Sequence, residues 1–115
     1  MKHEMNLFKE PFDMIKSGAK TIELRLYDTK RQQVHINDTI VFTNKSAPDE
    51  KLTVKVTYIH VFDSFESLYK NLPLLKCGYT PETVANASPA DMDTFYSKSQ
   101  QKKYGVLGIE ILVIS

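Results

Sequence analysis

Cysteine is almost missing from this chain: Cys77 stands alone among 115 residues. One cysteine closes no internal disulfide, and small secreted domains are ordinarily richer in them, so a reducing, cytoplasmic setting is the expectation. Glycine and proline are sparse, at 4 and 5 residues, and fall at segment boundaries instead of gathering in a tract. With no internal repeat and no low-complexity stretch, a solenoid or a disordered linker is excluded. No run approaches the roughly 20 apolar residues that cross a bilayer. The opening residues Met1 to Asn6 carry an early acid, Glu4, and no apolar run, unlike a signal peptide. Neither sign of charge dominates, since Lys+Arg 15 against Asp+Glu 14 leaves a net charge of +1. A whole-surface, histone-like nucleic-acid binder needs a far larger positive excess to displace counterions.

Catalytic signatures are missing as well. There is no GxSxG, no glycine-rich phosphate loop and no HExxH. His3, His35 and His60 lie far apart, with no cysteine or carboxylate at ligand spacing, so they read as surface or strand-end residues and no metal or cofactor is expected. Cys77, beside Lys76 in an apparent loop, has no histidine to pair with and reads as a free thiol without a role.

What is present is an ordinary globular mixture, 42% hydrophobic and 25% charged. Its length suits one domain, residues 1–115, able to bury a core unaided. Glu4 to Leu7 reads as a short strand. Lys9 to Gly18 reads as a short helix with proline in its first turn and Gly18 as the C-terminal cap. Lys20 to Tyr27 alternates, with Ile22, Leu24 and Leu26 on one face and Thr21, Glu23, Arg25 and Tyr27 on the other. Asn37-Asp38 marks a turn before a strand at Thr39 to Phe42, and Leu52 to Val61 alternates as a half-buried strand. Ser64 is placed to cap a helix over Phe65 to Asn71, and two further short helices are expected at Pro81 to Ala87 and Pro89 to Tyr96. Lys98 to Lys103 reads as polar. Tyr104 to Ile114 is a near-continuous apolar strand, which places it inside a sheet and not at its edge. This order predicts an α+β fold, a small bent β-barrel decorated with short helices, over a doubly wound sheet.

The segment richest in chemistry is Gly18-Ala19-Lys20-Thr21-Ile22-Glu23-Leu24-Arg25. A helix ends and a strand begins at once with a lysine, which puts the ammonium at a corner. Glu23 and Arg25 share a strand face about 7 Å apart. A guanidinium offers a planar fork to phosphate or guanine, and a carboxylate accepts from exocyclic amines. A partly buried lysine beside a carboxylate can also move a proton. The same spacing equally suits a salt bridge on a hydrated face.

A second tract, Phe95 to Tyr104, flanks Lys98, Lys102 and Lys103 with aromatics. Bases stack on rings while lysines hold phosphates, which makes Tyr96, Lys103 and Tyr104 candidate RNA contacts. Alternatively Phe95 is core, Tyr96 and Tyr104 cap the barrel, and the lysines solvate a turn. Lys30-Arg31 adds local positive charge after the key strand.

The succession Gly18-x-Lys20-Thr21-Ile22-Glu23-x-Arg25, then Ile36-Asn37-Asp38-x-Ile40-x-Phe42, then Tyr104-Gly105-Val106-Leu107-Gly108-Ile109 resembles the ASCH domain of the PUA-like superfamily over nearly the whole chain. Asn37 stands where that family reads glycine, and asparagine accepts left-handed backbone angles. The resemblance implies a PUA-like barrel with a cleft lined by Lys20 and the strand after it, binding RNA or a nucleotide-like small molecule; the histidine spacing and the lack of a long apolar run add the expectation of no metal and no membrane. Some similar bacterial members are amidohydrolases acting on N4-acetylcytidine through a lysine, a threonine and a glutamate, and another is a ribonuclease. Carried over, the lysine falls on Lys20 and the threonine position on Glu23. The acid has two candidates, Glu66 and Glu82. If the chain is an enzyme, Lys20 and Glu23 are its catalytic pair; as a binding module it uses Lys20, Thr21, Glu23, Arg25, Tyr96, Lys103 and Tyr104.

Overall fold

The computed structural model describes residues 1–115. Strand β1 (Lys2–Leu7) leads into helix α1 (Lys9–Ser17), and β2 (Ile22–Leu26) follows at once. After a 3-10 turn come β3 (Thr39–Asn44), the long β4 (Lys51–Phe62) and helix α2 (Phe65–Asn71). Residues 74–94 contribute only three 3-10 turns before helix α3 (Lys98–Tyr104) and the closing strand β5 (Val106–Val113). Pro81 to Ala87, expected as a helix, is thus helical only at Val84–Asn86. Lys98 to Lys103, read from sequence only as polar, is the body of α3. Its hydroxyl cap Ser97 and reciprocal Gln100 form a capping box, which satisfies two orphan amides and starts a helix that has no buried face.

The five strands run in the order β1-β3-β4-β5-β2. β1 lies parallel to β3, and every other pairing is antiparallel. β5 therefore has a neighbour on each side, as its apolar run predicts. The sheet carries packing on both faces. Leu107, Ile109 and Ile111 of β5 join the larger core with Phe42, Val54 and the α1 residues Phe12 and Ile15. Val106 faces the other way, into a smaller cluster with Ile22, Leu24, Phe65 and Leu68.

β1 and β2 are the sheet's outer strands and do not pair with each other. Side chains tie them instead. Arg25 Nη2 of β2 donates to the Asn6 carbonyl of β1 at 2.7 Å, and Lys30 Nζ, just beyond β2, donates to the Glu4 carbonyl at 2.7 Å. The sheet curls into a half-barrel whose seam is polar, in line with the expected α+β barrel. His3, read as a surface or strand-end residue, lies near the start of β1 and is buried there, with Nε2 2.9 Å from Asp38 Oδ2.

Gly105 joins α3 to β5 with φ 74 and ψ -170, backbone territory that belongs almost wholly to glycine. A Cβ there would lie 2.8 Å from the Phe62 carbonyl oxygen, a backbone atom with nowhere to go. Gly105→Ala is expected to lower the unfolding free energy by about 2 kcal/mol, read as a fall in urea midpoint at unchanged slope.

Candidate functional site

The corner predicted between α1 and β2 is built by three backbone bonds. Gly18 (φ 87) caps α1 in the left-handed region with its N–H on the Ile15 carbonyl. Lys20 N–H then reaches the Met14 carbonyl at 3.0 Å, and Thr21 N–H the Lys76 carbonyl at 2.9 Å. This turns Lys20 inward, its stem running across Gly78, whose Cα would place a Cβ 3.4 Å from Lys20 Cδ. Glu23 and Arg25 pair in register with Ile109 and Leu107 of β5. Directly paired residues share a face, so both charged side chains point to the side of the larger core, at the unpaired seam.

Three charges converge there. Lys20 Nζ is 2.8 Å from Glu23 Oε1, and Arg25 Nε donates to Glu23 Oε2 at 2.7 Å. The Glu23 side chain is only 4% exposed, which rules out the hydrated-face alternative. Burial by itself would raise its pKa, but Lys20 and Arg25 outweigh burial and hold it at about 2. Burial opposes the Arg25 charge too, and Glu23 more than restores it. The carboxylate is thus a fixed anion with both oxygens engaged. Lys20 has one partner for three N–H donors, so its ammonium retains hydrogen-bonding capacity.

These groups line a cleft of about 1030 Å³ between the β1–β2 seam and residues 77–96. Its size is at the upper end of the roughly 300–1,000 Å³ of small-molecule sites. Tyr96 lies in the wall near Arg25, its ring 6.2 Å from Phe65 in a stacked arrangement. Cys77 is buried beside Lys20, and burial pushes its thiol up to about 11, far from a reactive thiolate.

Of the sequence candidates, Lys20, Glu23, Arg25 and Tyr96 meet in this cleft. Thr21, Lys103 and Tyr104 are not among the residues lining it. Thr21 borders a smaller depression beside Ser17 and Ile111. Lys103 is exposed with its ammonium 5.1 Å above the Tyr104 ring, and Tyr104 packs against the smaller core. Glu66 pairs with Lys70 on the surface and Glu82 is exposed, so neither supplies an acid to the cleft.

Besides Glu23, the acids that line the cleft are Glu4, Glu10 and Asp91, the last at the end of a hydrogen-bonded chain. Tyr79 OH donates to Asp91 Oδ2 at 2.7 Å, which leaves Tyr69 OH to donate to Tyr79 at 2.6 Å. Burial pushes the Tyr79 hydroxyl well above its ordinary range, keeping it protonated. Asp91 also closes a capping box with Ser88, and that Ser-x-x-Asp spacing is the signal by which it was readable. Phe8, at the junction of β1 and α1, and Phe95 add exposed rings to the lining.

The sequence model of the ASCH domain matches residues 5–115. The chain belongs to the ASCH family. Among solved structures it is similar to the hypothetical protein PH0355, at 36% identity and a TM-score of 0.82, with 99% of this chain and 100% of that one covered. The solution structure of PF0455 from Pyrococcus furiosus is 34% identical with a TM-score of 0.73, covering 100% of this chain and 99% of that one. An ASCH domain from Lactobacillus crispatus shares only 13% identity but has a TM-score of 0.64 over 97% of this chain and 79% of its own, which supports the PUA-like fold. No curated protein matches. The block that marks the ASCH resemblance, Lys20 to Arg25, is the same block that builds the buried charge cluster, and no helix is long and apolar enough to cross a membrane.

Proposed function

We propose that this ASCH protein is a recognition module that binds RNA or a nucleotide-like ligand in the cleft over Lys20, Glu23 and Arg25. The observation that carries the reading is the composition of the buried cluster: two cations share one carboxylate, leaving an unneutralised positive charge at the base of a cleft with aromatic walls. Positive charge of low exposure attracts an anion more strongly than the same charge in water. A planar guanidinium and an ammonium with free donors suit phosphate oxygens, and Tyr96 offers a ring to a base.

The same geometry disfavours hydrolysis by Lys20 and Glu23. A carboxylate held at about 2 is a weak base at neutral pH, and its oxygens are already occupied. Glu23 stands where the similar amidohydrolases carry a hydroxyl, and Thr21 lies outside the cleft lining. Neither the threonine nor the thiol supplies a nucleophile.

A fluorescein-labelled octaribonucleotide titrated at about 50 and 200 mM salt tests the reading. Binding is expected at the lower salt and weaker at the higher, because phosphate contacts release counterions. Lys20→Ala is expected to cost at least about tenfold in affinity. No binding at low salt, or an unaltered Lys20→Ala protein, overturns the proposal. Acylated cytidines incubated with both proteins are expected to remain intact; turnover by the wild type alone would establish the hydrolytic alternative.

A further inference from the structure

We infer that Phe8 and Phe95 form a base-stacking platform at the mouth of the cleft, and that its occupant is a single-stranded polynucleotide and not a lone nucleotide. The inference rests on the ligand-binding reading above and names the ligand class and a second subsite. Phe8 and Phe95 are 50% and 56% exposed, although phenylalanine has no polar group that benefits from water. They come from opposite walls, Phe8 from the end of β1 and Phe95 from the end of the 3-10 segment Pro89–Thr94. Their ring centroids are 6.1 Å apart at 42°. Lys45 Nζ stands 4.5 Å from the Phe8 ring centroid, a cation–π arrangement that also puts an ammonium beside the platform.

The rings continue inward. Phe95 lies 6.5 Å from Tyr96 at 55°, and Tyr96 borders Arg25. An aromatic row therefore runs from Lys45 at the solvent edge to the buried guanidinium. Exposed cation, exposed rings, half-buried ring and buried cations follow one another along the cleft. A nucleic-acid strand repeats a flat base and a phosphate at each step and can use both charged ends of this row, whereas a mononucleotide offers one of each. Stacking on phenylalanine faces is tolerant of base identity, because every base has a π-face and no hydrogen bond is read. Lys30 also lines the cleft, whereas Arg31 is paired with Asp28 at 3.0 Å.

The chain contains no tryptophan, so Phe95→Trp introduces a sole indole at the platform. Octariboadenylate is expected to quench its fluorescence, and an abasic octamer of equal charge is expected to leave it unchanged. Phe8→Ala and Phe95→Ala should each weaken octamer binding about tenfold. AMP should bind at least about tenfold more weakly than the octamer. Octamer binding with an unquenched indole and unaltered Phe8→Ala and Phe95→Ala affinities overturns the platform while leaving the Lys20–Arg25 cleft standing. AMP binding as tightly as the octamer overturns the polynucleotide assignment. Failure of the wild type to bind any of the probes overturns the platform together with the reading beneath it.

Discussion

Glu23→Ala is expected to lower the unfolding free energy by about 3–5 kcal/mol. The substitution leaves Lys20 and Arg25 facing one another with the intervening carboxylate removed, at side-chain exposures of 10% and 12%. Two like charges of low exposure without a counter-charge are among the costliest defects a small protein can carry, against a total stability of roughly 5–15 kcal/mol. Urea denaturation followed by circular dichroism measures the loss. The cost comes from stranding the partners and not from the worth of the carboxylate itself, so a cluster-wide apolar replacement discriminates. Lys20→Met, Glu23→Leu and Arg25→Met combined should recover most of the stability, because no buried charge then lacks a partner. The same triple variant should not bind RNA. A Glu23→Ala loss below about 1 kcal/mol would match an exposed salt bridge and would contradict the burial of the site.

That cluster was half legible in the sequence. The alternation of Lys20 to Tyr27 correctly separated Ile22, Leu24 and Leu26 from Glu23 and Arg25, and Gly18 marked the corner that aims Lys20. Left unresolved was whether the charged face is wet. That depends on β2 pairing with β5 and on residues 77–96 folding over the seam, contacts between segments some 50 to 90 positions apart. Local devices read well for the same reason long-range ones did not: Ser64 caps α2 by accepting from Ser67 N–H, and Asn37 adopts φ 77, each set by neighbours in the chain. The α3 helix escaped notice because hydrophobic periodicity is silent on a helix without a buried residue, although Ser97 and Gln100 announced its start. Asp91 and Phe8 are not legible because nothing near them in sequence shows that they line one cleft with Arg25; the β1–β3 parallel pairing and the turns of residues 74–94 bring them there.

Acid should unfold the protein through the same carboxylate. The folded-state pKa of Glu23, about 2, lies below its ordinary value of 4.5. Because the native state depresses it, the unfolded chain binds the proton more readily as pH falls. The stabilisation from Glu23 is therefore full above about pH 4.5, declines as pH drops below that value, and is gone once pH passes through about 2. At about 1.4 kcal/mol per pKa unit the contribution is about 3 kcal/mol. Asp38 acts in the same direction: the His3 hydrogen bond, with the His35 N–H, holds its carboxyl below the usual carboxylate range. Urea midpoints measured from pH 7 to pH 2 should be flat at the upper end and fall steeply below about 4.5. The triple variant without Lys20, Glu23 and Arg25 should show a shallower fall, by about 3 kcal/mol across the window, with the Asp38 component remaining. Parallel curves for the two proteins would mean that Glu23 titrates alike folded and unfolded, which a carboxylate clamped between an ammonium at 2.8 Å and a guanidinium at 2.7 Å does not do.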